Sequence, residues 1–225
     1  MSFKLSLAIS KEKVTSECGN LTFPKAFNHK YQIAPGQKVY CLLDVNPTRM
    51  YTIEWGLIPH FSKRLNNRGN LTEIDTVEIA SKPSSRIPFR SKRGVILADA
   101  IYYIHKKGLE YTPYRIERKD KNLMKLACLW DEYRSGEDYL ATTALITRKI
   151  NNFICNDFPI EFTSKEQKLW MEEPNLSAAE VMLNKKFHPE AYDFYKVTNR
   201  LLDDDYNEKD LTAAIPTEIN LFTFI

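Results

Sequence analysis

Short apolar runs separated by polar connections fill the first half of the chain. Val39-Tyr40-Cys41-Leu42-Leu43 and Met50-Tyr51-Thr52-Ile53-Glu54-Trp55 are rich in β-branched and aromatic residues, which suit a pleated surface. Asp44-Val45-Asn46-Pro47 between them is a turn signal. The second run lacks clean alternation, so part of it is expected to be covered on both faces. Residues 66–72 are polar, carry Gly69 and read as an exposed loop. Lys82-Pro83-Ser84-Ser85 is expected to interrupt any regular element, because proline has no amide donor and restricts the residue before it. Residues 95–103 suit one central strand, and residues 114–117, 123–129 and 139–147 add three more candidates. Residues 119–122 and 134–138 read as hairpin turns, which predicts meander-like local pairing.

Helical signals come late. Ser164-Lys165-Glu166-Gln167 and Ser177-Ala178-Ala179-Glu180 have the form of capping boxes, in which a serine caps a backbone amide and a residue three positions on returns the bond. Trp170 and Met171 follow the first, and Val181-Met182-Leu183 follow the second. Strands first and helices late point to an α+β fold rather than an alternating one. Without repeats, low-complexity tracts or a Pro/Gly/Ser-rich linker, a single domain spanning residues 1–225 is expected.

Composition narrows the chemistry. A chain of 225 residues buries roughly 70% of its unfolded surface and needs no covalent staple. Its seven glycines are dispersed, so neither a phosphate-cradling loop nor a dinucleotide fingerprint can be built, and no nucleotide cofactor is expected. A net charge of +3 permits a local nucleic-acid groove without announcing one. Cys18, Cys41, Cys128 and Cys155 are far apart and read as free thiols of a cytoplasmic protein. The four histidines lie away from the cysteines and from one another, so no metal spacing exists. Neither a signal-peptide pattern nor a long apolar run occurs, and no membrane association is expected. The expectation is a monomer without cofactor.

Several stretches occur together in a telling order: Tyr31-Gln32-Ile33-Ala34-Pro35, Trp55-Gly56-Leu57-Ile58-Pro59, Lys82-Pro83-Ser84-Ser85-Arg86, Tyr102 with its strand, and Cys128-Leu129-Trp130-Asp131-Glu132. Phe194-Tyr195-Lys196-Val197-Thr198-Asn199-Arg200 adds a matching late strand. Over about residues 1–215 the chain resembles the SOS response-associated peptidase (SRAP) family. The resemblance implies a mixed, largely antiparallel, barrel-like β core flanked by helices. It also implies recognition of abasic sites in single-stranded DNA during the DNA damage (SOS) response. Family members link to the site through an N-terminal cysteine exposed by loss of the initiator methionine. The α-amine forms a Schiff base with the ring-opened sugar aldehyde, the thiol closes a thiazolidine, and an asparagine, a glutamate and a histidine line the site. An α-amine with a pKa of about 8 is partly neutral at physiological pH and can attack an aldehyde.

Transferred position by position, the resemblance places Ser2 where the family has cysteine, Glu73 for asparagine, Tyr103 for glutamate and Cys155 for histidine. Asp75 and Asp157 stand where the family has arginines, and Ile104 where it has tryptophan. A serine amine still forms a reversible imine, but a hydroxyl is a weaker nucleophile than a thiol, so the durable crosslink is expected to fail. For a DNA strand, Arg86, Arg90 and Arg93 with Lys92 offer a basic stretch and Trp55 a stacking surface. A solvated loop and core packing are the competing readings of those residues. The expected function is recognition of single-stranded or abasic DNA by a diverged site, and the alternative is a non-enzymatic scaffold or ligand-binding pseudoenzyme. No serine–histidine–acid arrangement supports a peptidase from spacing alone.

Overall fold

Twelve strands and four helices make up the regular structure of the computed structural model, which describes residues 3–62, 71–135, 138–151 and 153–216. In chain order they begin with β1 (Phe3–Leu7), α1 (Lys11–Cys18), β2 (Lys30–Ile33), β3 (Lys38–Leu43), β4 (Asn46–Trp55) and β5 (Glu73–Asp75). There follow α2 (Pro83–Ser91), β6 (Arg93–Ala98), β7 (Ala100–Lys107), β8 (Glu110–Arg118), β9 (Met124–Ser135) and β10 (Asp138–Lys149). The chain continues with β11 (Asp157–Pro159), α3 (Ser164–Glu172), α4 (Leu176–Leu183) and β12 (Tyr192–Lys196).

Strands β10, β4, β3, β6 and β9 pair in that order, and β9 pairs back onto β10, so five strands close into a barrel. Closure removes the exposed edges that an open sheet would leave. Strand β10 is the hub, since its far end also pairs with β5 in parallel and with β11 in antiparallel. A second sheet runs β12-β8-β7-β1-β2. One alternation of the barrel strands (Leu42, Val95, Ala127, Ile146) packs with Val14, Phe89, Trp170 and Leu183 of the helices. The opposite alternation (Cys41, Ile96, Leu126, Leu145) packs with Leu5 and Ile101 of the second sheet. The fold is α+β with a barrel-like core, as the sequence implies.

Four local expectations need correction. Residues 95–103 are not one strand, because Asp99 interrupts them and sends β6 and β7 into different sheets. Its carboxylate accepts bonds from Ser6 Oγ, the Ala8 amide and Arg115, which fixes the crossing. Pro83 does not break structure but opens α2, where a missing amide hydrogen is no loss. Residues 119–122 turn the chain without making a hairpin, since β8 and β9 lie in different sheets. The capping residues are Thr163, boxed with Glu166, and Asn175, which accepts from the Ser177 and Ala178 amides. Ser164 and Ser177 are therefore inside their helices. The sequence pattern also misses α1, a short polar helix capped by Ser10 whose one buried side chain is Val14. Of the expected loop at residues 66–72, residues 66–70 lie outside the described residues.

Strands β9 and β10 pair from Ser135↔Asp138 to Cys128↔Leu145, and the four cysteines are free. No helix among the described residues is long and apolar enough to cross a membrane. Trp170 of α3 is fully buried, donates its indole N–H to the Gly94 carbonyl at 3.0 Å and lies near Phe89 and Phe162. A Cβ on Gly94 would come within 2.6 Å of the Leu42 carbonyl, so the strands meet there only because the residue is glycine.

Candidate functional site

The far end of β10 assembles the site. Its pairing with β5 sets Leu145 opposite Glu73 and Thr147 opposite Asp75, while pairing with β11 sets Lys149 opposite Asp157. Trp55 holds the approach to β5, because its indole N–H donates to the Thr72 carbonyl at 2.9 Å, one residue before Glu73. Strand β1 brings Phe3 opposite Tyr103 of β7, with their rings 6.3 Å apart. The Phe3 backbone amide donates to the Glu73 carboxylate. Glu73, Tyr103 and Cys155, which are far apart in sequence, thus meet beside the start of β1. Ser2 lies outside the described residues.

The electrostatics of this cluster favour neutral forms. Burial pushes the Glu73 carboxyl above its ordinary value, and the nearby Asp157 charge adds to the effect. The Phe3 amide and Lys149 pull in the opposite direction without prevailing. One carboxyl oxygen, Glu73 Oε1, is buried with no hydrogen-bond partner. Burial, assisted by Asp157, pushes the Cys155 thiol up to about 12, so it is protonated at neutral pH. Tyr103 is raised by burial and by the same two neighbours, Cys155 and Asp157. Asp157 itself pairs with Lys149 at 2.6 Å. Asp75 turns back on its own chain, accepting from the Val77 amide at 2.9 Å. No group of three or more His, Cys, Asp and Glu side chains among the described residues could hold a metal ion.

Two of the expected DNA contacts are not surface residues. Trp55 is completely buried, so it packs and positions β5 instead of offering a face for a base. Arg93 is 4% exposed, lies over the Trp170 ring and donates to the Glu173 carbonyl. It ties α3 to the barrel and reaches no groove. Arg86 and Arg90 do stand exposed on α2.

The motifs that carry the resemblance turn out to staple the fold. Asp131 is fully buried and accepts from Lys92, from the His60 amide and from the Glu132 amide, with His60 Nδ1 2.8 Å away. This joins the segment after Trp55-Gly56-Leu57-Ile58-Pro59 to Leu129-Trp130-Asp131-Glu132. Gln32 bridges Lys4 and the carbonyls of Asp203 and Tyr206. Lys149, which pairs with Asp157, and His60 have no place in the sequence expectations, and Lys92 enters them only within the basic stretch, not as a partner of Asp131. Asp131 in a quoted motif was the available signal for two of them.

A family model described as SOS response associated peptidase (SRAP) matches residues 1–203. The chain belongs to the SRAP family. Abasic site processing protein YoqW of Bacillus subtilis (strain 168) is 29% identical over 155 residues, covering 66% of this chain and 69% of that protein. Abasic site processing protein YoaM of the same organism is 29% identical over 162 residues, covering 69% and 71%. Among solved structures, a Bacteroides thetaiotaomicron protein superposes with a TM-score of 0.81 at 21% identity, over 95% of this chain and 99% of that one. A Bordetella bronchiseptica protein superposes with a TM-score of 0.74 at 15% identity, over 88% and 100%. These likenesses establish the SRAP fold for the chain.

Proposed function

We propose that this SRAP protein acts in DNA damage by recognising abasic single-stranded DNA, through an imine that forms reversibly and is not locked into a ring. SRAP membership and relatives named as abasic site processing proteins support the DNA setting. The observation that carries the finer reading is Glu73, a carboxyl raised by burial, with one unpartnered oxygen, bonded to the Phe3 amide. Imine formation needs an acid that protonates the departing hydroxyl of the carbinolamine and a base that removes the amine proton. A carboxyl raised by burial, with one oxygen free to reach the reacting atoms, can serve both steps. Glu73 would supply on β5 the acid–base group that the resemblance places at Tyr103 on β7.

Ring closure is a different matter. Ser2 carries no thiol, and Cys155 is held protonated, so neither traps the imine as a stable sulfur ring. The test is fluorescence anisotropy on labelled single strands at low salt, where phosphate attraction is greatest. A strand with one abasic site should bind at least several-fold tighter than the same strand without it, and E73Q should reduce that preference.

A second reading, a scaffold that has left DNA, is favoured by one feature. Among the described residues, Glu73, Asp75 and Asp157 gather around the exposed Lys149, and carboxylate charge repels phosphate. Absence of any anisotropy change at low salt for either strand would select it.

A further inference from the structure

A cleft of about 540 Å³ opens where the ends of β8 and β12 meet β9, β10 and the segment that follows β11. It is separate from the Glu73 cluster and is lined by five cationic side chains against two carboxylates. Both carboxylates are already engaged. Glu161 is held by Arg118 and the Tyr192 hydroxyl, and Glu17 by Lys13 and the Leu123 amide. Arg118 is shared between Glu161 and Asp120, and Lys185 is paired with Glu166. Lys186 stands exposed on the rim.

Among the described residues, Lys125 and Arg148 have no such partner. Lys125 alternates on β9 with Met124 and Leu126, which face the second sheet, and so points with Ala127 to the helix side where the cleft lies. It is 5% exposed, yet its ammonium makes no hydrogen bond or ion pair with a described residue. The stem is covered and the ammonium is not among the fully buried unpartnered atoms, so the cleft is where it meets solvent or a ligand. Arg148 on β10 is half-buried, with its guanidinium 5.9 Å from the centre of the Phe187 ring and no carboxylate of a described residue paired with it. A recessed point charge and a planar fork are the two complementary ways of holding an oxyanion. Phe187, Pro159 and Ile160 add apolar wall beside them, and the cleft has the volume of ordinary small-molecule sites, roughly 300–1,000 Å³.

We propose that this cleft is a phosphoryl site, in which Lys125 and Arg148 hold the phosphate of a nucleotide whose flatter body lies along the apolar wall. Such a group comes either from a free mononucleotide or from the phosphorylated end of a strand. The site uses none of the residues of the abasic-site reading. Its test requires no abasic DNA, so either idea can fail alone.

Isothermal titration of the full chain at fixed ionic strength compares dAMP, inorganic phosphate and deoxyadenosine. dAMP and phosphate should bind and deoxyadenosine should not, while K125M and R148Q should each weaken dAMP at least tenfold. The parent should also melt higher with dAMP, whereas K125M should show no such rise. Equal behaviour of dAMP and deoxyadenosine, or unchanged dAMP affinity in both variants, would overturn the proposal. A 5′-phosphorylated strand that binds tighter than dAMP, with its unphosphorylated twin inert, supports the site and assigns the strand end as the source. The reverse order supports it with the free nucleotide.

Discussion

Arg115 and Glu73 are both ionisable side chains on strands of the same molecule, and the fold treats them differently. Arg115 on β8 is 3% exposed and every direction is answered: Asp99 at 2.9 Å, the Tyr102 hydroxyl at 2.8 Å and Glu117 at 3.4 Å. Tyr102 in turn donates to the Tyr31 carbonyl, and Asp99 accepts from Ser6 and Ala8. Glu73 on β5 is less buried, yet one of its oxygens is left without a bond and its carboxyl is raised. The first network closes on itself and joins β1, β7 and β8. The second is open toward the beginning of β1. Satisfied polar interiors fix a fold, and the unpartnered Glu73 oxygen, beside a protonated thiol and a raised tyrosine, is the group that the proposed abasic ligand would complete.

This contrast can be broken most forcefully at Arg115. Arg115→Met strands the Asp99 carboxylate and should lower stability by about 3–5 kcal/mol, read by urea unfolding. A loss below about 1 kcal/mol would mean that the network holds nothing. Trp55→Phe keeps most of the ring but removes the donor to Thr72, so it should cost about 2 kcal/mol and loosen β5. Hydrogen exchange at the β5 amides should quicken in that variant, and unchanged exchange would dissociate Trp55 from the site.

Glu73 should respond in the other direction. Because its folded carboxyl is raised above 4.5, the fold favours the protonated form. That contribution is complete below the ordinary carboxylate value and is lost as pH rises through the raised one. Glu73→Gln should therefore gain about 1 kcal/mol over the parent at neutral pH, with the gap shrinking toward acid, where both are neutral. A gap that is flat from pH 4 to pH 8 would remove Glu73 from the account. The smallest effect is expected at Cys155. With its thiol up at about 12, iodoacetamide at pH 7.5 should label it in the unfolded chain and leave it untouched in the folded one, scored by mass spectrometry.

Much of the barrel was legible because its strands are short β-branched and aromatic runs with turn residues between them. What escaped did so for identifiable reasons. The break at Asp99 is a tertiary event, since only Ser6, Ala8 and Arg115 reveal why an apolar run changes sheets. Helix α2 was hidden because Pro83 signals both a stop and a start, and only the missing need for an amide at a helix start decides between them. Candidate site residues were placed by position within motifs, and the structure brings Glu73, Tyr103 and Cys155 together. Their environment was not legible, because burial is a property of the closed barrel. Exposure misled twice for that same reason: Trp55 and Arg93 have side chains suited to DNA, but both are spent on packing.

The central claim, that an imine forms here and is not sealed, has one direct measurement. The full chain, after removal of its initiator methionine, is incubated with abasic single-stranded DNA in the presence and absence of borohydride and resolved under denaturing heat. The account predicts a crosslinked band with the reductant alone, abolished when the strand lacks the abasic site. A heat-stable crosslink formed without reductant would contradict it.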